Sequence, residues 1–400
     1  MKTRFVTLVL AVVAMSALAG CAGSATCNCG CGNKSDASAV QTIPDSSAVV
    51  PASPDASAGD VGWAAVGGGG GEIDPTRASR GKLAVSNGVP YAAFSDSSAG
   101  GKLSVMTLTG TKWTNVGTPG FTASSVYQYI LYVDNGTPYV VFSAYSTTGS
   151  GQTLNVMKFD GSKWISVGNA NFAAVNSYST LSIVVSSGVP YVAFVDSTSN
   201  LHVQSLVGGI WTDVGGTFVA ANGQYPAVTI YNGQPTVVFS NSAYVLTLLT
   251  FNGTAWIPLA TSTLSIDYDY GDTYITVSLG ILYITFYDST YGAVVLKLSG
   301  GTLVSVGTLG TISNGTDVEY VSGAVYNGVP YVAFDDEARD SDLNPRAATV
   351  KYFDGTAWQL YAGYPDDCDI EDTYLAVDQT SGHLYFTYSD CQGFMTVKVQ

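Results

Sequence analysis

One short apolar segment recurs along this chain, and its pattern departs from that of an ordinary half-buried strand. Tyr331-Val332-Ala333-Phe334, entered through Asn327-Gly328-Val329-Pro330, is apolar at successive positions. A sheet covered on one side alternates apolar with polar residues, so two-sided apolarity predicts a strand buried on both faces. The pattern returns at Asn87–Phe94, Asn135–Phe142, Ser187–Phe194 and Asn232–Phe239, and more loosely at Leu279–Phe286 and Ser381–Tyr388. These seven copies lie about 45 to 54 residues apart, a period that belongs to propellers and solenoids.

A second element keeps the same count. Trp63-Ala64-Ala65-Val66-Gly67 is repeated at Trp113–Gly117, Trp164–Gly168 and Trp211–Gly215, then loosely at Trp256–Ala260, Leu303–Gly307 and Trp358–Ala362. Asn-Gly or Ser-Gly before the apolar segment accepts the positive φ of a tight hairpin turn. Thr109-Gly110, Asp160-Gly161, Gly208-Gly209, Asn252-Gly253, Ser299-Gly300 and Asp354-Gly355 mark a second hairpin before the tryptophan. Each repeat is therefore predicted to hold four short strands: A (for example Tyr225–Tyr231), B (the apolar segment), C (for example Leu154–Phe159) and D (the tryptophan strand). The proline opening strand B falls where its missing N–H does little harm.

The two ends of the chain decide between a ring and an open stack. The first repeated element is a lone strand D at Trp63, and the chain stops at Gln400 after a strand C, Gly393–Val399, with no tryptophan strand behind it. The expected fold is an all-β, seven-bladed β-propeller with four antiparallel strands per blade. The N-terminal strand at Gly62–Gly67 completes the last blade and removes the open edges. Cys368 before strand A and Cys391 after strand B of that blade fall on antiparallel neighbours, which predicts a disulfide; two free thiols are the alternative.

Ahead of the repeats, residues 1–20 have a basic start (Lys2, Arg4), an apolar run from Phe5 to about Ala14, and then Leu18-Ala19-Gly20-Cys21. This is a secretory signal in length and flanks. Small residues directly before a cysteine resemble the bacterial lipobox, and that resemblance implies cleavage before Cys21 and lipid on its thiol, a membrane anchor without a spanning segment. By the enterobacterial sorting rule, Ala22 implies an outer-membrane lipoprotein of the cell envelope, periplasmic or surface-exposed. Residues 21–60, rich in Ala, Ser, Pro and Asp without hydrophobic periodicity, are expected as a disordered tether. Cys27, Cys29 and Cys31 within it suit local disulfides, further acylation or a soft metal ion. The folded domain is expected over residues 61–400.

Composition narrows the partners. Hydrophobic residues make up 46% of the chain, with 26 tyrosines, enough for a continuous core, while only 11% are charged. The net charge is −15. Without Lys2 and Arg4 the count is 13 basic against 30 acidic, or −17. Such a surface repels phosphate backbones, so nucleic acid is excluded as a partner.

Catalytic signatures are sparse. His202 in a strand C and His383 at a hairpin turn have no local nucleophile and carboxylate beside them, and no phosphate loop or HExxH pattern is present. The sequence resembles the propeller superfold in general. Sialidases within it carry complete Asp-boxes and three arginines from separate blades, whereas this chain has fragments at Asp160–Trp164 and Asp354–Trp358 and two close pairs, Arg77 with Arg80 and Arg339 with Arg346. A TGxxxW repeat, found in envelope-assembly propellers, occurs once, at Thr109–Trp113. The nearest resemblance is to bacterial extracellular propellers with NGxPYVAFxD…W..VG repeats, over roughly Val61 to Gln400, and it implies a fold without specifying an activity.

Three residue sets remain as candidate sites. Asp96, Asp196, Asp288, Asp336 and Asp390 recur two residues after the last aromatic of strand B, either to hold a turn or to form a ring of carboxylates. Non-repeated acidic segments hold Asp267, Asp269 and Asp272, and Asp367 and Asp369, which suit Ca²⁺ or are simply solvated loops. Tyr127, Tyr129, Tyr178, Tyr225, Tyr270, Tyr320 and Tyr374 open their A strands. With Asp336 they form either a ligand platform or wedges between blades. The expectation is a monomeric, non-catalytic binding module for an envelope or extracellular protein, acting through this acidic, tyrosine-rich face; a lectin-like glycan binder and a glycoside hydrolase are the alternatives.

Overall fold

A computed structural model of the chain describes residues 63–66, 73, 78–145, 151–176, 180–266, 273–313, 318–336, 347–361, 371–389 and 395–400. The described residues are almost wholly β-strand, with one turn of 3₁₀ helix at Ser97–Ala99. Among them no helix is long and apolar enough to cross a membrane.

Seven antiparallel sheets follow one another, each in the order A-B-C-D. In blade 1 these strands are Ala78–Ser86, Val89–Asp96, Lys102–Thr109 and Lys112–Asn115. The B strands of blades 2 to 7 are Thr137–Tyr145, Val189–Val195, Gln234–Ser240, Ile281–Asp288, Val329–Asp336 and Leu384–Ser389. The predicted turns form: Asn87 and Gly88 take φ of 52° and 76°, as a type I′ hairpin requires. A strands of consecutive blades touch all the way round, including blade 7 against blade 1.

Both faces of strand B are buried because each blade packs against two others. Seven apolar clusters fill the seven gaps between blades. Val332, Ala333 and Phe334 are completely enclosed, and so are Val192, Ala193 and Phe194 within about a hundredth of their surface. Burying one such large side chain stabilises the fold by roughly 1.5–3 kcal/mol. A gap therefore depends on residues from two successive repeats.

The ring closes as the chain ends require. Ala64 and Ala65 pair with Val399 and Lys398, so the strand after Trp63 is strand D of blade 7. Beyond it, Val66 N–H donates to Val397 O at 2.9 Å and Ile73 N–H to Met395 O at 3.0 Å. Trp63 packs on Phe386, with ring centroids 5.6 Å apart. The N-terminal strand covers the edge that the last strand of the chain would otherwise expose.

The tryptophans link the blades in series. Five of the six indole N–H groups, all but that of Trp63, reach back one repeat to the valine carbonyl that ends the preceding element: Trp113 to Val66 at 2.8 Å, Trp164 to Val116 at 2.7 Å, Trp211 to Val167 at 3.0 Å, Trp256 to Val214 and Trp358 to Val306 at 2.9 Å. Blade 5 has Leu303 at this position and no donor. The glycine after the valine makes room for the indole. At Gly117, φ is 74° and an added Cβ would sit 2.9 Å from Phe159 and 3.2 Å from Trp164.

Candidate functional site

The gap between blades 1 and 2 is open on the face that carries the A–B and C–D hairpins. There the surface opens into a cleft of about 700 Å³. Blade 1 contributes Tyr91, Thr107, Asn115, Val116 and Gly117. Blade 2 contributes its A–B turn, Gly136 to Pro138, and its C–D turn, Lys158 to Gly161, with Ile165.

Blade 6 differs from blade 1 at the positions that line this cleft. Tyr91 pairs across strands with Thr107, and the W-x-x-V element of blade 1 ends in Val116. In blade 6 the same three positions are Tyr331, Tyr352 and Tyr361. Those rings pack on one another with centroids 5.2 to 6.2 Å apart, and Tyr361 meets Trp63 at 6.1 Å. Burial pushes the pKa of the Tyr331 phenol far above the ordinary range and raises that of Tyr361, as a closed gap should. Tyr352 and Tyr361 fill their gap, whereas blade 1 with Thr107 and Val116, like blade 3 with Ser205 and Val214, carries smaller side chains there.

The cleft combines rings with unused polar groups. Tyr91 lies on one wall, its hydroxyl 3.4 Å from Gly136 O across the gap, and Phe159 lies on the other, tilted against Trp164 at 5.9 Å. Among the described residues, the Asn115 side chain and the Thr137 hydroxyl have no hydrogen-bond partner. Asp160 is committed on one side: its Oδ1 accepts from Lys163 N–H, Ser162 N–H and the Ser162 hydroxyl, each at 2.8 Å. Those bonds hold its carboxyl below the usual range, so it stays ionised. Its Oδ2 faces no protein donor among the described residues.

The repeated aspartates serve their own turns. Asp96 accepts from Ala99 N–H and from the hydroxyls of Ser98 and Ser104. Burial alone would raise its carboxyl, but these bonds outweigh that and lower it. Asp196 accepts from the N–H groups of Thr198 and Asn200, and Asp288 from those of Thr290, Tyr291 and Ser265. Where blade 4 has Asn241, its amide oxygen does the same for Ala243 and Val245. Asp336 is buried at the end of its strand, with Lys351 close enough to feel its charge.

The structure distributes the candidate tyrosines unevenly. Tyr129 is buried, and its hydroxyl accepts Ser95 N–H from blade 1 at 3.0 Å, a wedge between blades. Tyr225 and Tyr320 are half-buried at bulges of their A strands, with φ of 52° and 51°. Tyr374 meets Tyr274 of blade 5 edge to face at 5.6 Å and lies under the Lys82 ammonium at 5.0 Å, so three innermost strands converge there. Tyr178, Tyr270, Asp267, Asp269, Asp272, Asp367, Asp369, Asp390, Cys21, Cys27, Cys29, Cys31, Cys368 and Cys391 lie outside the described residues. Among the described residues no three His, Cys, Asp or Glu side chains are grouped to hold a metal ion.

One charged cluster escaped the sequence reading. His202 in strand C of blade 3 is bonded at both ring nitrogens, Nδ1 to Asp213 at 2.8 Å and Nε2 to Asp196 at 3.1 Å, and it stacks on Phe194 at 5.1 Å. Burial works against the imidazolium, but the hydrogen bond and charge of Asp213, then those of Asp196, win and raise its affinity for the proton. Asp196 in turn is pulled down to about 2, burial being outweighed by Asn200, Thr198 and His202. Strand register held the missing signal, since Phe194 pairs with His202 and Gln204 with Asp213.

No family model and no curated protein matches this sequence. Solved structures match in fold. A family PL25 polysaccharide lyase, an ulvan lyase bound to -[GlcA(1-4)Rha3S]-, superposes with a TM-score of 0.52 at 11% identity, covering 85% of this chain and 94% of the lyase. The fucose-specific lectin of Aleuria aurantia gives 0.45 at 14% identity, over 73% of this chain and 98% of the lectin. A puromycin-hydrolysing peptidase of Mycobacterium tuberculosis gives 0.47 at 13%, over 84% and 55%. At these identities the likeness reaches the fold and stops there.

Proposed function

We propose that this chain is a non-catalytic binding propeller of the cell envelope, held to the outer membrane by lipid on Cys21 and taking its ligand in the cleft between blades 1 and 2. The cleft carries this reading: it joins two aromatic walls to hydrogen-bonding groups that no described residue uses. Its lining is about as polar as it is apolar, so polar groups converge on it beside the two rings, as they do in binding sites. Hydrolysis of a glycosidic bond asks for two carboxyl groups flanking the bond, one of them able to hold a proton. Among the described residues Asp160 is the single carboxylate lining the cleft, and its own turn keeps it ionised.

Anchoring by lipid and binding in the cleft are tested separately. Mass spectrometry of the purified chain is expected to find diacylated Cys21 as its first residue, and Cys21→Ser is expected to release the protein from the membrane fraction. An unlipidated mature N-terminus would end the envelope part of the proposal. The acidic segments at Asp267–Asp272 and Asp366–Asp372 belong to the same proposal as a Ca²⁺-holding face. A melting temperature unmoved by a chelator would remove Ca²⁺ from it.

A further inference from the structure

Three features of the cleft bear on what it accepts, and this inference rests on the cleft being the binding site. The rings of Tyr91 and Phe159 stand on opposite walls, contributed by different blades. The free groups are mixed in character: Asn115 both donates and accepts, the Thr137 hydroxyl does both, and Asp160 Oδ2 accepts. Among the described residues, Lys158 and Asp160 are the charged ones lining the cleft, one of each sign, so together they add no net charge to it.

We infer that the cleft binds a neutral saccharide. A pyranose presents an apolar C–H face that suits an aromatic ring and an equatorial belt of hydroxyls, each both donor and acceptor. Mixed donors and acceptors beside rings match that surface, whereas an anionic ligand asks for a fork of arginines or a cluster of lysines. The chain's net charge of −15 further opposes polyanions, because its field repels them before contact. The size fits as well: about 700 Å³ lies within the ~300–1,000 Å³ of small-molecule sites. An uncharged mono- or disaccharide unit is therefore the expected ligand.

The test uses the full-length mature protein in detergent and saturation-transfer NMR with methyl glycosides of glucose, galactose, mannose and fucose, an anionic arm of methyl glucuronide, and a mixture of short peptides. At least one neutral glycoside is expected to bind. Thr107→Tyr, which places in this gap the residue that fills the gap between blades 6 and 7, is expected to abolish that binding. Asn115→Ala, at an exposed position that leaves folding untouched, is expected to weaken it roughly five- to tenfold, the loss of about one hydrogen bond. Binding of glucuronide in preference to every neutral glycoside, or of peptides alone, with sensitivity to Thr107→Tyr, overturns the saccharide while keeping the cleft. Glycoside binding indifferent to both substitutions, or no probe affected by either, overturns the cleft together with its ligand.

Discussion

The Trp164 indole N–H donates to Val116 O at 2.7 Å across the gap between blades 1 and 2, and the bond is buried. Val116 thus has two tasks, since the valine also lines the cleft. The bond fixes the depth at which blade 2 docks on blade 1, and the cleft's walls are set by that docking. Trp164→Phe keeps the ring and removes the donor, leaving a buried carbonyl without it. The expected loss is about 1–3 kcal/mol, read as a lower denaturation midpoint. Trp113→Phe, at a partly exposed copy of the same bond, is expected to cost less.

Closure predicts a larger effect. Trp63 is buried between blades 6 and 7 against Phe386 and Tyr361. Trp63→Ala is expected to lower stability by about 3–5 kcal/mol, the cost of truncating a buried aromatic. Deleting residues 61–67 also removes the Val66 N–H bond to Val397 O and the pairing of Ala64 and Ala65 with Val399 and Lys398. Faster proteolysis of the last blade, relative to the intact chain, is the measurement that checks it.

Gly117 gives a local test of the same joint. Its φ of 74° and the 2.9 Å separation of an added Cβ from Phe159 mean that Gly117→Ala meets backbone strain and a clash together. A loss of about 1–2 kcal/mol is expected from the left-handed backbone alone. The displaced Phe159 ring should also weaken binding in the cleft. Unchanged melting temperature would contradict the packing described here.

His202 makes stability depend on pH. Its folded pKa is raised above the ordinary 6.5, so its contribution is fully present below pH 6.5 and is lost as pH rises through the higher folded value. Asp196 acts in the opposite direction at acid pH. With a folded pKa of about 2 against 3.8, it contributes above pH 3.8 and loses that contribution as pH falls toward 2. His202→Gln is therefore expected to cost most near pH 5 to 6 and least above neutrality. Urea unfolding of both proteins across this range, with the His202 ring shifts followed by NMR, checks the sign.

Legibility in the sequence was uneven for stated reasons. The propeller and its closure were readable because each strand's two-sided apolarity and each Asn-Gly turn act within a few residues, and register has a period of two. The role of Asp96, Asp196 and Asp288 in their turns was readable for the same local reason. The buried place of Tyr129 was not, because its hydroxyl is taken by Ser95 of the neighbouring blade. His202 looked isolated for the same kind of reason, its two carboxylates lying across hairpins.

By itself the sequence determined the number of blades, their strands, and the pairing of Ala64 and Ala65 with the chain's end, all consequences of short-range patterning repeated seven times. Tertiary structure alone decided that blades 1 and 2 line a cleft above their shared apolar cluster. A gap is filled or left empty by the combined volumes of side chains from two repeats, here Tyr91, Thr107 and Val116 facing Phe159. That sum exists only once the blades are packed at close-packed density, so no single repeat contains it.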